Sequence, residues 1–314
     1  MFRYTNRELT ELANANGFIK NTTEKILRLI DVLEFIGESR IGSMLALKGG
    51  TAINLCLLDL PRLSVDIDMD FTLPCSKDDM IKNRKEIKNT ISGFMQDEGY
   101  LLSDRSKFVY TLDSFVYSYF TLSGSRDVLK IEINYSDRIH ILRPIIDESI
   151  CVLDRHCIIR RLADEELIGS KINALLVRTT PRDVYDVYNL LKKDKIKDRI
   201  LVKKIAIFYA VLGSEKPVDF DNILEIAFQK MQGMNYNKIR ESLLPVLHKG
   251  EKIVIEEITE YVIAELSNMF ELESSERKYI EEYNAGCYKP ELLFEGIETN
   301  DISNHPMALW KVKK

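Results

Sequence analysis

The sequence predicts an α+β protein: a central mixed sheet flanked by helices within residues 1–160, then a mainly helical part over residues 161–314. Three observations carry that prediction. Residues 108–135 are rich in aromatic and β-branched residues that alternate with polar ones, the period of a half-buried strand. A Gly-Gly pair at 49–50 lies between two short apolar runs, and the second run alternates with aspartates. From Asp164 onward the apolar residues recur at helical spacing.

Taken in order, residues 8–16 and 23–36 read as helices, 44–48 as a short strand, Gly49-Gly50 as its turn and 51–58 as the next helix. Residues 65–71 form the carboxylate strand. Residues 77–98 form an amphipathic helix with Met80, Ile87, Ile91 and Phe94 on one face. Strands follow at 108–112, 115–122 and 128–135, so the sheet occupies roughly residues 40–155. Helices are expected at 164–178, 182–192, 197–211, 235–244 and 253–268, with Pro181 at a helix start and Pro245 where a helix stops. Phe208, Tyr209 and Leu212 read as core residues.

Composition narrows the function classes. Apolar residues make up 45% of the chain, ample for buried cores, yet no run of about 18 apolar residues predicts a membrane span. The first residues lack the apolar core of a signal peptide. Cys56, Cys75, Cys151, Cys157 and Cys287 are scattered and odd in number, which predicts reduced thiols and a cytoplasmic location. Four histidines without metal-ligand spacing argue against a zinc site. A net charge of −5 excludes coating nucleic acid through bulk charge, but a local basic face would suffice for RNA. Two stretches are candidates for that face: 155–161, and 192–204 with its six lysines and one arginine. Such runs are more often solvated helix faces.

The motif that carries chemistry is Lys48-Gly49-Gly50-Thr51-Ala52 followed by Arg62-Leu63-Ser64-Val65-Asp66-Ile67-Asp68. Residues i and i+2 of a strand share a face, so Asp66 and Asp68 project together. Like charges held that close repel, and a divalent cation with a preference for oxygen ligands, Mg²⁺ or Mn²⁺, relieves the conflict. Gly49 and Gly50 allow backbone N–H groups to approach a phosphate. Lys48 is either a phosphate partner or a strand-end charge, and Thr51 either caps its helix or offers its hydroxyl to a phosphate. Arg62 either braces the acidic cluster or lies on the surface, and Asp70 is a spare ligand. Glu132, between Ile131 and Ile133, becomes a third carboxylate if its strand lies beside Asp66–Asp68; alone, it would be an exposed polar residue.

A second constellation comprises Lys171, Arg178, Arg182, Asp183 and Asp186. Lys171 and Arg178 share a face of one helix, and Asp183 and Asp186 share a face of the next. The arrangement is either a salt-bridged helical hairpin or a basic wall over a triphosphate, with an aspartate orienting it or acting as base.

These blocks, with Lys130-Ile131-Glu132-Ile133 and Arg182-Asp183-Val184-Tyr185-Asp186-Val187-Tyr188, span residues 45–190. In that order they resemble the AbiEii/AbiGii nucleotidyltransferase-like toxins of abortive-infection, type IV toxin–antitoxin systems. The glycine turn and paired acids also resemble the wider DNA polymerase β-like nucleotidyltransferase superfamily. The resemblance implies a minimal nucleotidyltransferase sheet with a helical C-terminal domain. It also implies Mg²⁺-dependent transfer of nucleotides from an NTP to RNA, in some relatives tRNA, with growth arrest as the outcome in phage defence. Carried over by position, Asp66 and Asp68 are metal ligands, Gly50 and Thr51 the phosphate turn, Lys171 the triphosphate contact and Asp183 an active-site acid. Gly50 stands where many superfamily members have serine. An antitoxin encoded nearby is the usual genetic partner, and direct binding is not implied. A transferase acting on protein, and a nucleotide-binding module without catalysis, keep the same site and remain open alternatives.

Overall fold

The computed structural model describes residues 2–153 and 155–313, without the side chains of 148–152 and 156, so the Cys151 thiol lies outside the described residues. Two helices, α1 (Asn6–Ala15) and α2 (Lys20–Glu38), open the chain. Thr5 and Glu8 form a reciprocal cap at the start of α1. Then come β1 (Leu45–Lys48), the single turn α3 (Gly49–Ala52), β2 (Asp66–Phe71), α4 (Lys77–Asp97), β3 (Leu101–Leu102), β4 (Lys107–Val109), β5 (Leu112–Phe120) and β6 (Arg126–Asn134). The sheet ends with β7 (Ile145–Val152) and β8 (Arg155–Arg161).

The strands order as β3-β5-β6-β2-β1-β8-β7, with β4 paired to β5. β2 runs parallel to β6 and antiparallel to β1, while β1 runs parallel to β8, so the sheet is mixed. Register fixes the site. Asp66 lies opposite Lys130, Asp68 opposite both Glu132 and Lys48, and Asp70 opposite Asn134.

After the sheet come α5 (Asp164–Arg178), α6 (Pro181–Lys192), α7 (Arg199–Gly213), α8 (Phe220–Gln232) and α9 (Tyr236–Ser242). The chain ends with α10 (Ile255–Met269), α11 (Ser274–Asn284), α12 (Glu291–Phe294) and α13 (Pro306–Val312). One continuous apolar core joins the sheet to these helices, with Phe208 and Leu212 in it and Tyr209 packed against it.

Several expectations change. The helix expected at 51–58 is one α turn followed by a wider π turn at Ile53–Leu57. β7, β8, α8 and α11 are elements the sequence reading did not assign. The basic stretch 155–161 is a sheet strand. Arg160 donates to the Leu45 carbonyl and to Thr72 (both 2.7 Å), and Arg161 to Asp147 and Asp164. In the stretch 192–204, Lys193 donates to the Leu58 carbonyl, Lys203 to Glu276 and Lys204 to the Leu293 carbonyl. Arg160, Lys203 and Lys204 thus end on buried acceptors, while Lys192, Lys193, Lys197 and Arg199 stay exposed. Among the described residues no helix is long and apolar enough to cross a membrane.

Candidate active site

The glycine turn is dictated from two sides. Gly49 has φ +70°, and a Cβ there would lie 2.7 Å from Asp68 Oδ2, so both backbone and neighbour demand glycine. A Cβ on Gly50 would meet Arg62 Nη2 at 2.9 Å and Ser64 Oγ at 3.1 Å; the Arg62 guanidinium occupies the space a serine would need. Thr51 is buried, and its hydroxyl reaches the Asp66 carbonyl and Ser64 Oγ. Its role here is to tie the turn to the carboxylate strand; the residue preceding α3, Lys48, provides no side-chain cap.

Asp66, Asp68 and Glu132 line one lobe of a cleft, of about 420 Å³, together with Arg62, Lys130, Lys171, Arg178, Arg182 and Asp183. Burial, and then the charges of Asp66 and Glu132, push the Asp68 carboxyl up to about 6 against the pull of Lys48. Glu132 is 2.8 Å from the Lys130 ammonium. A second lobe, of about 330 Å³, lies behind the glycine turn; Gly50, Asp68, Lys171 and Arg178 border both lobes. Lys48, Asp70 and Tyr209 belong to the second lobe alone.

Asp70 shares the face of Asp66 and Asp68 yet has a different fate. It is 2% exposed, 2.5 Å from Lys48 Nζ and 3.7 Å from His140 Nε2. Burial disfavours the Lys48 charge, but Asp70 and Asp137 outweigh it and hold the ammonium above its ordinary value. Behind His140, the fully buried Glu166 accepts from the Ile141 and Leu142 N–H groups and from the Tyr209 hydroxyl.

The α5–α6 corner supplies the opposite wall. Thr180 caps α6 and Pro181 occupies its first turn, which aims Asp183 and Asp186 back at α5. Lys171 Nζ lies 2.8 Å from Asp183 and 2.5 Å from Asp186, with all three side chains at most 4% exposed. Asp183 also accepts two bonds from Arg178 and one from Thr180. Asp186 accepts two from Arg62 and one from Asn54. Burial alone would raise both carboxyls, but Lys171 with Arg178, and Arg62 with Lys171, hold them below the ordinary carboxylate range. An aspartate so held is a poor base; its physical role is to position cations. The corner is therefore a salt-bridged hairpin in which Lys171 and Arg178 border the cleft. Arg182 donates to the Ser242 carbonyl and closes the lobe on the α9 side.

This geometry, a glycine turn beside paired strand carboxylates and facing a lysine–arginine wall, coincides with a sequence-level match. The model of the AbiEii family, described as nucleotidyl transferase AbiEii toxin of type IV toxin–antitoxin systems, matches residues 32–262, well over half of the chain.

The chain belongs to the AbiEii family.

It is thus a nucleotidyltransferase toxin of a type IV system, a class that uses an NTP and has a cognate antitoxin. Among solved structures, MenT4, a nucleotidyltransferase toxin from Mycobacterium tuberculosis H37Rv, has the same fold. The TM-score is 0.62 at 13% identity, covering 88% of this chain and 93% of that one. No curated protein sequence matches.

Lys48, Gly49, Gly50, Asp66, Asp68, Glu132, Lys171, Arg182 and Asp183 line the AbiEii cleft, with Thr51 just beneath, while Asp186 is fully buried and lines neither lobe. His140, Glu166 and Tyr209, which brace Asp70 and Lys48, were not found from sequence. They lie far apart along the chain and carry no spacing signal. Among the described residues no three His, Cys, Asp or Glu side chains are grouped to hold a metal ion by themselves. Two carboxylates on one face of a strand, with Asp68 raised by burial and by the charge beside it, nevertheless suit a Mg²⁺ whose remaining ligands come from phosphates and water.

Proposed function

We propose that this toxin transfers a nucleotidyl group from an NTP to RNA, with tRNA as the acceptor class, in a Mg²⁺- or Mn²⁺-dependent reaction that arrests growth. The observation that carries the reading is the two-lobed cleft pivoting on Asp68, Gly50, Lys171 and Arg178. One lobe, behind the glycine turn, holds the triphosphate donor. The other exposes Asp66 and Glu132 beside cations and leaves space for an acceptor hydroxyl.

Asp66 and Asp68 would hold the cation, with Glu132 beside them as a further oxygen donor. When bound, the cation offsets phosphate charge and polarises the transferred phosphoryl group. The remaining work falls to side chains of this chain. Lys171 and Arg178, fixed by Asp183 and Asp186, place positive charge against the triphosphate before it arrives, so little reorganisation is needed. Lys48, held by Asp70, extends that field to the glycine turn. The acceptor oxygen attacks the α-phosphorus, its proton passes to solvent or to a carboxylate of the pair, and pyrophosphate leaves.

The test incubates purified protein with total RNA, Mg²⁺ and each NTP labelled at the α or the γ phosphate, with Asp66→Ala as the blank. Label from the α position in RNA, absent in the blank, is expected. Label from the γ position in protein would replace this reading with phosphoryl transfer to protein. No transfer to either pool would favour a binding module.

A further inference from the structure

The chain contains one tryptophan, Trp310, on the C-terminal helix α13. Its indole is 51% exposed and forms part of two cavities at once. The first, of about 340 Å³, is shared with Tyr110, Tyr135, Arg138 and Met307. The second, of about 420 Å³, is shared with Lys216, Tyr283 and Lys311. Trp310 therefore stands as a half-exposed aromatic wall with room beside it in two directions.

Cations and rings alternate along this track. Tyr110 is 56% exposed, with the Lys77 ammonium 5.5 Å from its ring centroid, and Lys216 lies 5.1 Å from the Tyr283 ring centroid. Polar groups at the track are left unsatisfied. Arg138 Nη1 in the first cavity, and the hydroxyl of the 1% exposed Tyr283 in the second, have no hydrogen-bond partner among the described residues. Glu215 is the single carboxylate among the described residues lining the two cavities. The track also abuts the catalytic cleft. Ser136 and Arg138 line its first cavity, while Asp137 between them lines the donor lobe beside Lys48. One loop separates the two sites.

Aromatic faces interleaved with cations are what single-stranded nucleic acid requires, because every base has a π-face and every linkage a negative charge. Resting on the reading of RNA as acceptor, we propose that Trp310 is a stacking platform for an unpaired base of that RNA. Arg138 and Lys216 meet the phosphates on either side. The platform holds the body of the acceptor beside the cleft, with the 136–138 loop between the two.

Trp310 supplies its own reporter. A mixed-sequence single-stranded oligoribonucleotide, added without NTP, should quench the tryptophan emission saturably, more weakly at higher salt, and equally in Asp66→Ala. A blunt RNA duplex should leave the emission unchanged. In transfer assays Trp310→Ala should raise the Michaelis constant for RNA about tenfold, the effect of losing one stacked base, without moving that for NTP. Trp310→Phe should recover most of it. Emission indifferent to single-stranded RNA would overturn the platform, as would equal quenching by inorganic polyphosphate or an RNA constant unchanged in Trp310→Ala. Quenching needs no turnover, and label transfer to RNA needs no stacking at Trp310. The two readings therefore fail separately.

Discussion

Asp68→Asn should make the metal-free protein more stable while destroying its activity. The Asp68 carboxyl is raised to about 6 by burial and by the charges of Asp66 and Glu132, against about 3.9 in an unfolded chain. Each unit of difference corresponds to about 1.4 kcal/mol, so ionising this group in the folded state costs on the order of 2–3 kcal/mol at neutral pH. The sign follows from the direction of the shift. Below about pH 4 the carboxyl is neutral in both states and the cost is absent; it grows as pH rises to 6 and is constant above. Asparagine keeps the shape without the charge. Urea denaturation with a chelator present should therefore show the variant more stable at pH 7.5 by roughly that amount, with the gap closing near pH 4. Saturating Mg²⁺ should stabilise the parent protein, because the ion binds only the folded site, and should leave the variant unmoved. A variant no more stable at pH 7.5, or a gap independent of pH, would refute the crowding argument.

Gly49→Ala should abolish transfer and lower stability by about 1–3 kcal/mol, measured by thermal melting, since it combines a left-handed backbone with a 2.7 Å approach to Asp68. Lys171→Met should both weaken NTP binding and cost about 3–5 kcal/mol, because it leaves two buried carboxylates with fewer partners. A melting temperature unchanged from the parent would show that the corner repacks around Arg62 and Arg178. Asp183 and Asp186 are held below their unfolded pKa values, so their stabilisation is complete above about pH 4 and is lost as pH falls through the folded values. Asp183→Asn should flatten the acid limb of a stability–pH profile, and an unchanged limb would remove Asp183 from its cause.

Much of the site was legible because its logic is local. The alternation of Asp66 and Asp68 with apolar residues sets both carboxylates on one face, whatever the rest of the fold does. Gly49 announces a backbone other residues avoid. Thr180-Pro181 marks a helix start that the structure places one residue earlier than expected from the pattern. Glu132 was conditional on strand order, and the parallel pairing of β2 with β6 puts it opposite Asp68.

What the pattern alone could not decide was which charge meets which. Asp70 repeats the spacing of Asp68, yet Lys48 and His140 claim it, because β1 and the loop after β6 pack over that end of β2. Arg160 and Lys203 look like solvated charges in a basic run, yet each ends on a buried acceptor. His140 and Glu166 have no sequence signature, and only packing brings them behind the glycine turn. The sequence by itself determined backbone conformation and the face each side chain takes, since both follow from periodicity and sterics between near neighbours. Only the tertiary structure decided partners, and with them protonation and role, because those depend on desolvation and on charges brought together from distant parts of the chain.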